Sequence, residues 1–288
     1  MLRWRLILGA VFIAAIAGLC WLDYQSPMPG IWLMPLAILL SLLGSQEVLG
    51  MLAARDLRPS SSVVYGGNLL IVASNFVPVL LGHYGTNDWG FWAFSLAVLV
   101  AFVDEMRRYT QPGGVMQRLS LTTFALAYIG LLLTAVVQLR YVLGARYGLL
   151  SLISLVAVVK LGDIGAYTVG RLFGRTRMAP VLSPGKTLEG AAGALVFACV
   201  GAYLVIYAVP VLRPVWWAGV VFGLTVGAAG MLGDLAESLF KRDMGRKDSS
   251  TWLPGFGGVL DLLDSILFAA PVAYVVWRGL LGCGAITI

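Results

Sequence analysis

Residues 148–170 read GLLSLISLVAVVKLGDIGAYTVG, an apolar run of membrane-spanning length that is interrupted toward its C-terminal end by Lys160, Asp163 and Tyr167. A transmembrane helix needs about 20 mainly apolar residues. Eight further windows of that kind fall near 6–22, 31–54, 63–82, 89–104, 119–138, 188–209, 215–235 and 260–280. The expected fold is therefore all-α, a polytopic integral membrane protein of about nine transmembrane helices. The third window contains Asn68, Asn75 and Pro78 and the fourth is short, so either is a candidate for a broken or re-entrant segment. Composition agrees: the 288 residues are 59% hydrophobic and 12% charged, against about 25% charged in an average soluble domain. An ordinary cytosolic protein is excluded.

Lysine and arginine retained in alternate loops mark the cytoplasmic side. One side collects fifteen, at Arg3, Arg5, Arg55, Arg58, Arg107, Arg108, Arg118, Arg171, Arg175, Arg177, Lys186, Lys241, Arg242, Arg246 and Lys247. The other side has four, Arg140, Arg146, Arg213 and Arg278, and Lys160 sits inside the sixth window. This asymmetry predicts a cytoplasmic N-terminus and nine crossings. The run from Arg5 to Leu22 lacks a small-residue cleavage site and is expected to be a retained first span rather than a signal peptide. The net charge of +6 is spread over short loops, not over one face of a soluble module, so no nucleic acid is expected as a partner. Cys20, Cys199 and Cys283 show no CxxC spacing and His83 is the single histidine, so no zinc constellation is expected.

No inverted repeat of the transporter kind and no low-complexity segment is visible. The charges are uneven, however, and 18 of the 34 lie between Lys160 and Asp264. The chain thus divides into residues 1–147, about five membrane helices without an evident role, and residues 148–288, where chemistry is expected at a polar site facing the cytoplasm.

Three segments of that second part have the residues for it. Lys160 and Asp163, three apart on one helical face, either neutralise each other or stand at the floor of a polar cavity, since ionised groups at membrane depth cost roughly 2.5–3.5 kcal/mol and need partners. Ser183, Pro184, Gly185, Lys186 and Thr187 precede Glu189 and Gly190. A P-loop reading is rejected because Pro180 occupies the position of its first glycine and the flanks read as membrane helices where the motif needs a preceding strand. A turn at a helix start still suits a phosphate, although a capped loop with a snorkelling lysine explains it equally.

The third segment places Asp234, Glu237, Ser238 and Lys241 on one helical face, with Arg242 next and Lys247 in the following loop. After Pro254, Gly255, Gly257 and Gly258 come Asp261, Asp264 and Ser265, again with both acids on one face. Taken singly, these acids fit a salt bridge to Lys241 or a helix N-terminus. Gathered together they repel unless a cation intervenes, and hard oxygen donors suit magnesium, which keeps waters and substrate phosphates in its shell.

The run from Gly233 to Ser265 resembles the C-terminal signature of the phosphatidate cytidylyltransferases, the CDP-diacylglycerol synthases. Asp163, Gly165, Ala166, Tyr167 and Gly170 resemble the motif that precedes it, and Ser183 to Thr187 with Glu189 and Gly190 resemble its loop motif. The likeness covers Lys160 to Trp277, some 118 of 288 residues. Two positions depart: Phe256 and Leu262 stand where the family usually has histidine and arginine. The resemblance implies an enzyme that uses CTP and phosphatidic acid in the inner, cytoplasmic membrane to form CDP-diacylglycerol and pyrophosphate, with magnesium as cofactor and a second cation left open. It implies Asp234 and Asp261 as magnesium ligands, with Asp264 and Glu237 beside them. Lys186, Lys241, Arg242 and Lys247 would hold phosphates, while Ser183, Thr187 and the backbones near Gly185 and Gly257 add neutral donors. Asp163 would orient Lys160 or join the same cavity. The alternatives are a CTP-dependent lipid kinase, an ether-lipid cytidylyltransferase, an anion or proton-coupled transporter, and an assembly protein without catalysis. Oligomeric state is open, a homodimer included.

Overall fold

The computed structural model describes residues 2–207, 215–250, 252 and 257–286, without the side chains of residues 2–8. Arg213, Pro254, Gly255 and Phe256 lie outside the described residues, as do the side chains of Arg3 and Arg5. The chain is helical almost throughout. In order it forms α1 (Leu2–Gln25), α2 (Leu33–Ala53), α3 (Ser61–Ser74), α4 (Val77–Leu80), α5 (Trp89–Arg108), α6 (Val115–Ala125), a π turn (Leu126–Leu131), α7 (Leu132–Val142) and α8 (Gly144–Phe173). A two-stranded ribbon, β1 (Arg177–Ala179) and β2 (Ser183–Thr187), leads into α9 (Leu188–Ile206), α10 (Ala218–Asp243) and α11 (Leu260–Gly282). The ribbon is a departure from the all-helical expectation.

Among the described residues seven helices are long and apolar enough to cross a membrane: α2, α5, the continuous Val115–Val142, α8, α9, α10 and α11. The first window becomes α1, and the third is broken into α3 and α4. Asn75 caps that break. Its Nδ2 donates to Ile71 O (2.8 Å), Val72 O (3.2 Å) and Thr134 Oγ1 (3.2 Å), and its Oδ1 accepts from Gln138 Nε2 (2.7 Å). A helix end inside a bilayer is tolerated only when its free carbonyls find such partners. The fourth window is not broken; it runs straight through the 20 residues of α5.

Contacts sort the connections into two ends. At one end Arg140 reaches Asp23 and Ala145 O, Arg278 reaches Thr86, and Val215 N reaches Ala285 O. At the other end Glu47 meets Ser249 and Ser250, Ser60 meets Asp104, and Arg242 meets Leu182 O. Every described basic connection counted on the richer side belongs to the second set.

Close approach of α8 and α9 rests on small residues: a Cβ at Gly165 would lie 2.6 Å from Gly193 O and from Phe197 Cβ. Where lipid is as apolar as leucine, such backbone proximity supplies much of the helix–helix attraction. The buried core joins α7 to α11, with Leu139, Leu155, Ala198, Phe222, Ala270 and Trp277 at its centre. A second core packs Val48, Met51, Val64 and Ile129 of the earlier helices against Met244, Leu260 and Leu267. The early helices therefore abut the helix ends that bear the acidic residues.

Candidate active site

Helices α8, α10 and α11 and strand β2 enclose a cavity of about 440 Å³ lined by Lys160, Asp163, Lys186, Asp234, Glu237, Lys241, Asp261 and Asp264. Five carboxylates and three ammonium groups share one space in a chain that is only 12% charged. Lys160 lies well up α8, thirteen residues before Phe173, which is about 20 Å along the axis.

The arrangement follows from helix geometry. Asp234, Glu237 and Lys241 lie at i, i+3 and i+7 on α10, and Asp261 and Asp264 at i and i+3 on α11, so each set faces the groove between the two helices. Gly233 lets them approach: a Cβ there would lie 2.6 Å from Asp264 O. The ribbon brings Lys186 over the opening, with Arg177 paired to Thr187 and Ala179 to Ser183. Thr187 Oγ1 accepts from Gly190 N (3.1 Å) as the N-cap of α9. Glu189 accepts from Arg175 N (3.1 Å) and Thr176 N (3.2 Å), fastening the ribbon to the helix. The helix start expected to offer free amides is thus partly occupied by its own cap, and the residues expected as a loop form a strand.

Each lysine has an acidic partner. Lys160 Nζ lies 3.3 Å from Asp163 Oδ2, with both side chains nearly half exposed, so the two neutralise each other and also line the cavity. Lys241 Nζ bridges α10 and α11, 2.6 Å from Glu237 Oε2 and 2.5 Å from Asp261 Oδ1. Lys186 Nζ lies 2.6 Å from Asp234 Oδ2, yet the angle completes no hydrogen bond, and among the described residues Lys186 Nζ and Glu237 Oε1 are both buried without one.

The other nominated residues divide. Gly185 and Thr187 line the cavity with Lys186, whereas Ser183 does not. Arg242 and Lys247 are exposed outside it, Arg242 spending its guanidinium on Leu182 O and Arg246 O. Gly257 and Gly258 shape the entry to α11 rather than facing the cavity, for Gly258 N donates to Asp261 Oδ2 (2.7 Å). Leu262 is half-buried on α11.

The donors are all carboxylate oxygen, a set that suits magnesium. Among the described residues no three Asp, Glu, His or Cys side chains converge to cage an ion unaided. That pattern fits a cation held by one or two carboxylates and completed by water and phosphate. Asp234 Oδ1 has no partner among the described residues. Asp261 is more committed, its Oδ1 to Lys241 and its Oδ2 to Ser249 N (3.0 Å), Ser249 Oγ (2.6 Å) and Gly258 N. A cation at Asp261 therefore competes with Lys241.

Sequence reasoning did not single out Ser249, Glu47 or Tyr128. Tyr128 lies on the π turn, packed edge-on against Phe240 and Phe268, with a buried hydroxyl that has no hydrogen-bond partner among the described residues. The available signal was polar residues within apolar windows, which at membrane depth ask for an explanation.

Residues 3–280 match the sequence model of the cytidylyltransferase family. A phosphatidate cytidylyltransferase of Chlamydia pneumoniae is 30% identical over 246 residues, covering 81% of this chain and 78% of that protein. One of Synechocystis sp. is 42% identical over 132 residues, 44% of this chain and 43% of that protein's own length. One of Haemophilus influenzae is 33% identical over 195 residues, 64% and 65% of the two chains.

Proposed function

The chain belongs to the cytidylyltransferase family, and from that membership and its cavity we propose that it transfers the cytidylyl group of CTP to phosphatidic acid, giving CDP-diacylglycerol and pyrophosphate. The observation that carries the proposal is the meeting of Lys160, Lys186 and Lys241 with five carboxylates in one cavity. Two polyanions that repel each other need cations at their meeting point, and Lys186 retains unmet hydrogen-bonding capacity there.

Residues 148–288 form the catalytic part in this proposal, and 1–147 the scaffold against which it packs. In this proposal the chain crosses nine times with its N-terminus cytoplasmic, a reading that the sorting of basic connections to one end supports, and the cavity mouth faces the cytoplasmic leaflet of the inner membrane. CTP then enters from water and the lipid from the bilayer.

Lys186, on the strand over the cavity, draws the nucleotide phosphates toward Asp234. Lys160 and Lys241 offset charge deeper in the groove. An oxygen of the lipid phosphate forms the new bond to the α-phosphorus while the bond to pyrophosphate breaks. The attacking oxygen is already ionised, so no side chain has to remove a proton, and positioning with charge neutralisation is the chief contribution of the protein. Magnesium, held by Asp234 and Asp261 with Asp264 and Glu237 beside them, would supply further positive charge to the phosphates when bound.

The test uses purified full-length protein in detergent with phosphatidic acid, magnesium and labelled CTP. Wild type is expected to make CDP-diacylglycerol and pyrophosphate; release of CDP with a doubly phosphorylated lipid would instead reveal a kinase. Asp234→Asn and Asp261→Asn are each expected to lose at least about a hundredfold in kcat, the scale of removing one element of transition-state charge stabilisation. Normal turnover in both variants refutes the carboxylate assignment.

A further inference from the structure

Glu47 belongs to α2, in the part of the chain that carries no resemblance to a catalytic motif, and it is 9% exposed. Among the described residues no lysine or arginine pairs with it. A buried ionised carboxylate without a cation is costly unless hydrogen bonds replace the lost water. Four donors do so. Ser250 Oγ and Val259 N donate to Oε1, each at 2.9 Å, and Ser249 Oγ (3.0 Å) and Leu260 N (2.8 Å) donate to Oε2. Two of these are hydroxyls of the segment after α10. The other two are amides at the N-terminus of α11, where no helical carbonyl is available and negative charge is favoured.

We infer that Glu47 is a positioning residue: it clamps the Ser249–Ser250 segment to the first turn of α11 and so aims Asp261 and Asp264 into the cavity. The clamp and the site share an atom. Ser249 Oγ, bonded to Glu47, also lies 2.6 Å from Asp261 Oδ2, the oxygen that accepts from Gly258 N. One hydroxyl proton serves two carboxylates in turn, so displacement of Glu47 changes the hydrogen bonding of Asp261. Gly258 has a physical reason here, since a Cβ at that position would overlap both Glu47 oxygens and Ser249 Oγ. The residue type is equally constrained. Both oxygens accept twice, whereas glutamine would turn an NH₂ toward two donors, and aspartate is one methylene short.

Lys186 and the ribbon hang from other elements, so loss of the clamp is expected to disturb the α11 carboxylates and leave nucleotide capture intact. The kinetic arm of the test rests on the cytidylyl-transfer reading; a second arm does not. In full-length protein in detergent, Glu47→Gln is expected to lower kcat about 30-fold, in keeping with a sub-ångström to ångström misplacement, with KM for CTP within about twofold. Amide hydrogen exchange at Val259 and Leu260 is expected to accelerate, and Glu47→Asp to recover part of both effects. Should Glu47→Gln fail to fold, Ser249→Ala removes the hydroxyl shared by Glu47 and Asp261 while leaving the Ser249 N bond to Asp261 and both amide bonds to Glu47; it is expected to lower kcat about tenfold with the exchange protection of Val259 and Leu260 retained. Wild-type kcat in Glu47→Gln or, in its place, in Ser249→Ala overturns the inference, as does a loss confined to KM. Absence of product from wild type defeats the cytidylyl reading alone, and the exchange arm then decides, wild-type protection of Val259 and Leu260 in Glu47→Gln counting against the clamp.

Discussion

Asp23 with Arg140 in the early helices and Lys186 with Asp234 in the later ones form ion pairs of nearly equal length, 2.7 and 2.6 Å, in different surroundings. The first pair is dry, its side chains 0% and 4% exposed, whereas in the second Lys186 is 23% and Asp234 38% exposed, with the ammonium itself covered. Asp23 is satisfied on every side. Besides Arg140 it accepts from Gly30 N (3.1 Å) and Trp32 N (3.2 Å), and Arg140 goes on to Ala145 O (3.0 Å). Lys186 keeps hydrogen-bonding capacity for something outside the protein. The same chemistry thus locks connections in one region and, in the proposed function, serves a polyanion site in the other; the difference lies in whether solvent reaches the carboxylate and whether the cation's hydrogen bonding is complete.

The largest effect that tests this contrast is expected from Arg140→Ala. It strands a fully buried carboxylate, which costs about 3–5 kcal/mol. A lower thermal midpoint in detergent should register this, while kcat of the folded fraction stays within about twofold of wild type. Replacing both partners together, as Asp23→Leu with Arg140→Leu, should restore part of the loss, because a dry pair exchanged for packed apolar groups no longer leaves a stranded charge. A collapse of kcat at unchanged stability would show that the early helices do chemistry.

Lys186→Ala is expected to act in the opposite sense. Water can reach Asp234, so the thermal midpoint should hold. Removal of one cation from the phosphates is expected to lower kcat/KM for CTP about a hundredfold. Steady-state kinetics beside a melting curve separate the two effects. Lost stability with normal kinetics would make this pair a lock like the first.

The windows of about 20 apolar residues located the helices, since length and hydropathy are properties of one segment at a time. Asn75 and Pro78 likewise marked the broken third window, because each changes what the local backbone can satisfy. The facing of α10 and α11 was legible for the same reason: Asp234, Glu237 and Lys241 share a helix face whatever surrounds them. The ribbon that carries Lys186 was not, because its strand pairing depends on a partner across a turn rather than on periodicity. Glu47 escaped for a deeper reason. Its four donors come from residues more than two hundred positions away, and no local pattern announces so distant a contact. The commitment of Asp261 to Ser249 and Gly258 is likewise a product of folding, which spacing along α11 cannot reveal.

The smallest effect is expected at Gln138, where the early helices bury a neutral pair instead of an ionic one. Gln138 Nε2 donates to Asn75 Oδ1 (2.7 Å) and its Oε1 accepts from Asn87 N (3.1 Å), so it links α7 to the α3 break and to the connection before α5. Interhelical hydrogen bonds inside membrane proteins average about 0.6 kcal/mol, because the separated helices find other partners. Asn75 retains its own bonds to Ile71 O and Val72 O, so the cap of α3 survives. Gln138→Leu should therefore lower stability by about 0.6 kcal/mol without altering kcat or KM, read by reversible unfolding in mixed micelles. A loss above about 3 kcal/mol would mean that the break between α3 and α4 depends on Gln138 as strongly as the connections depend on Arg140, and the contrast between dry ionic locks and weak neutral ties would have to be redrawn.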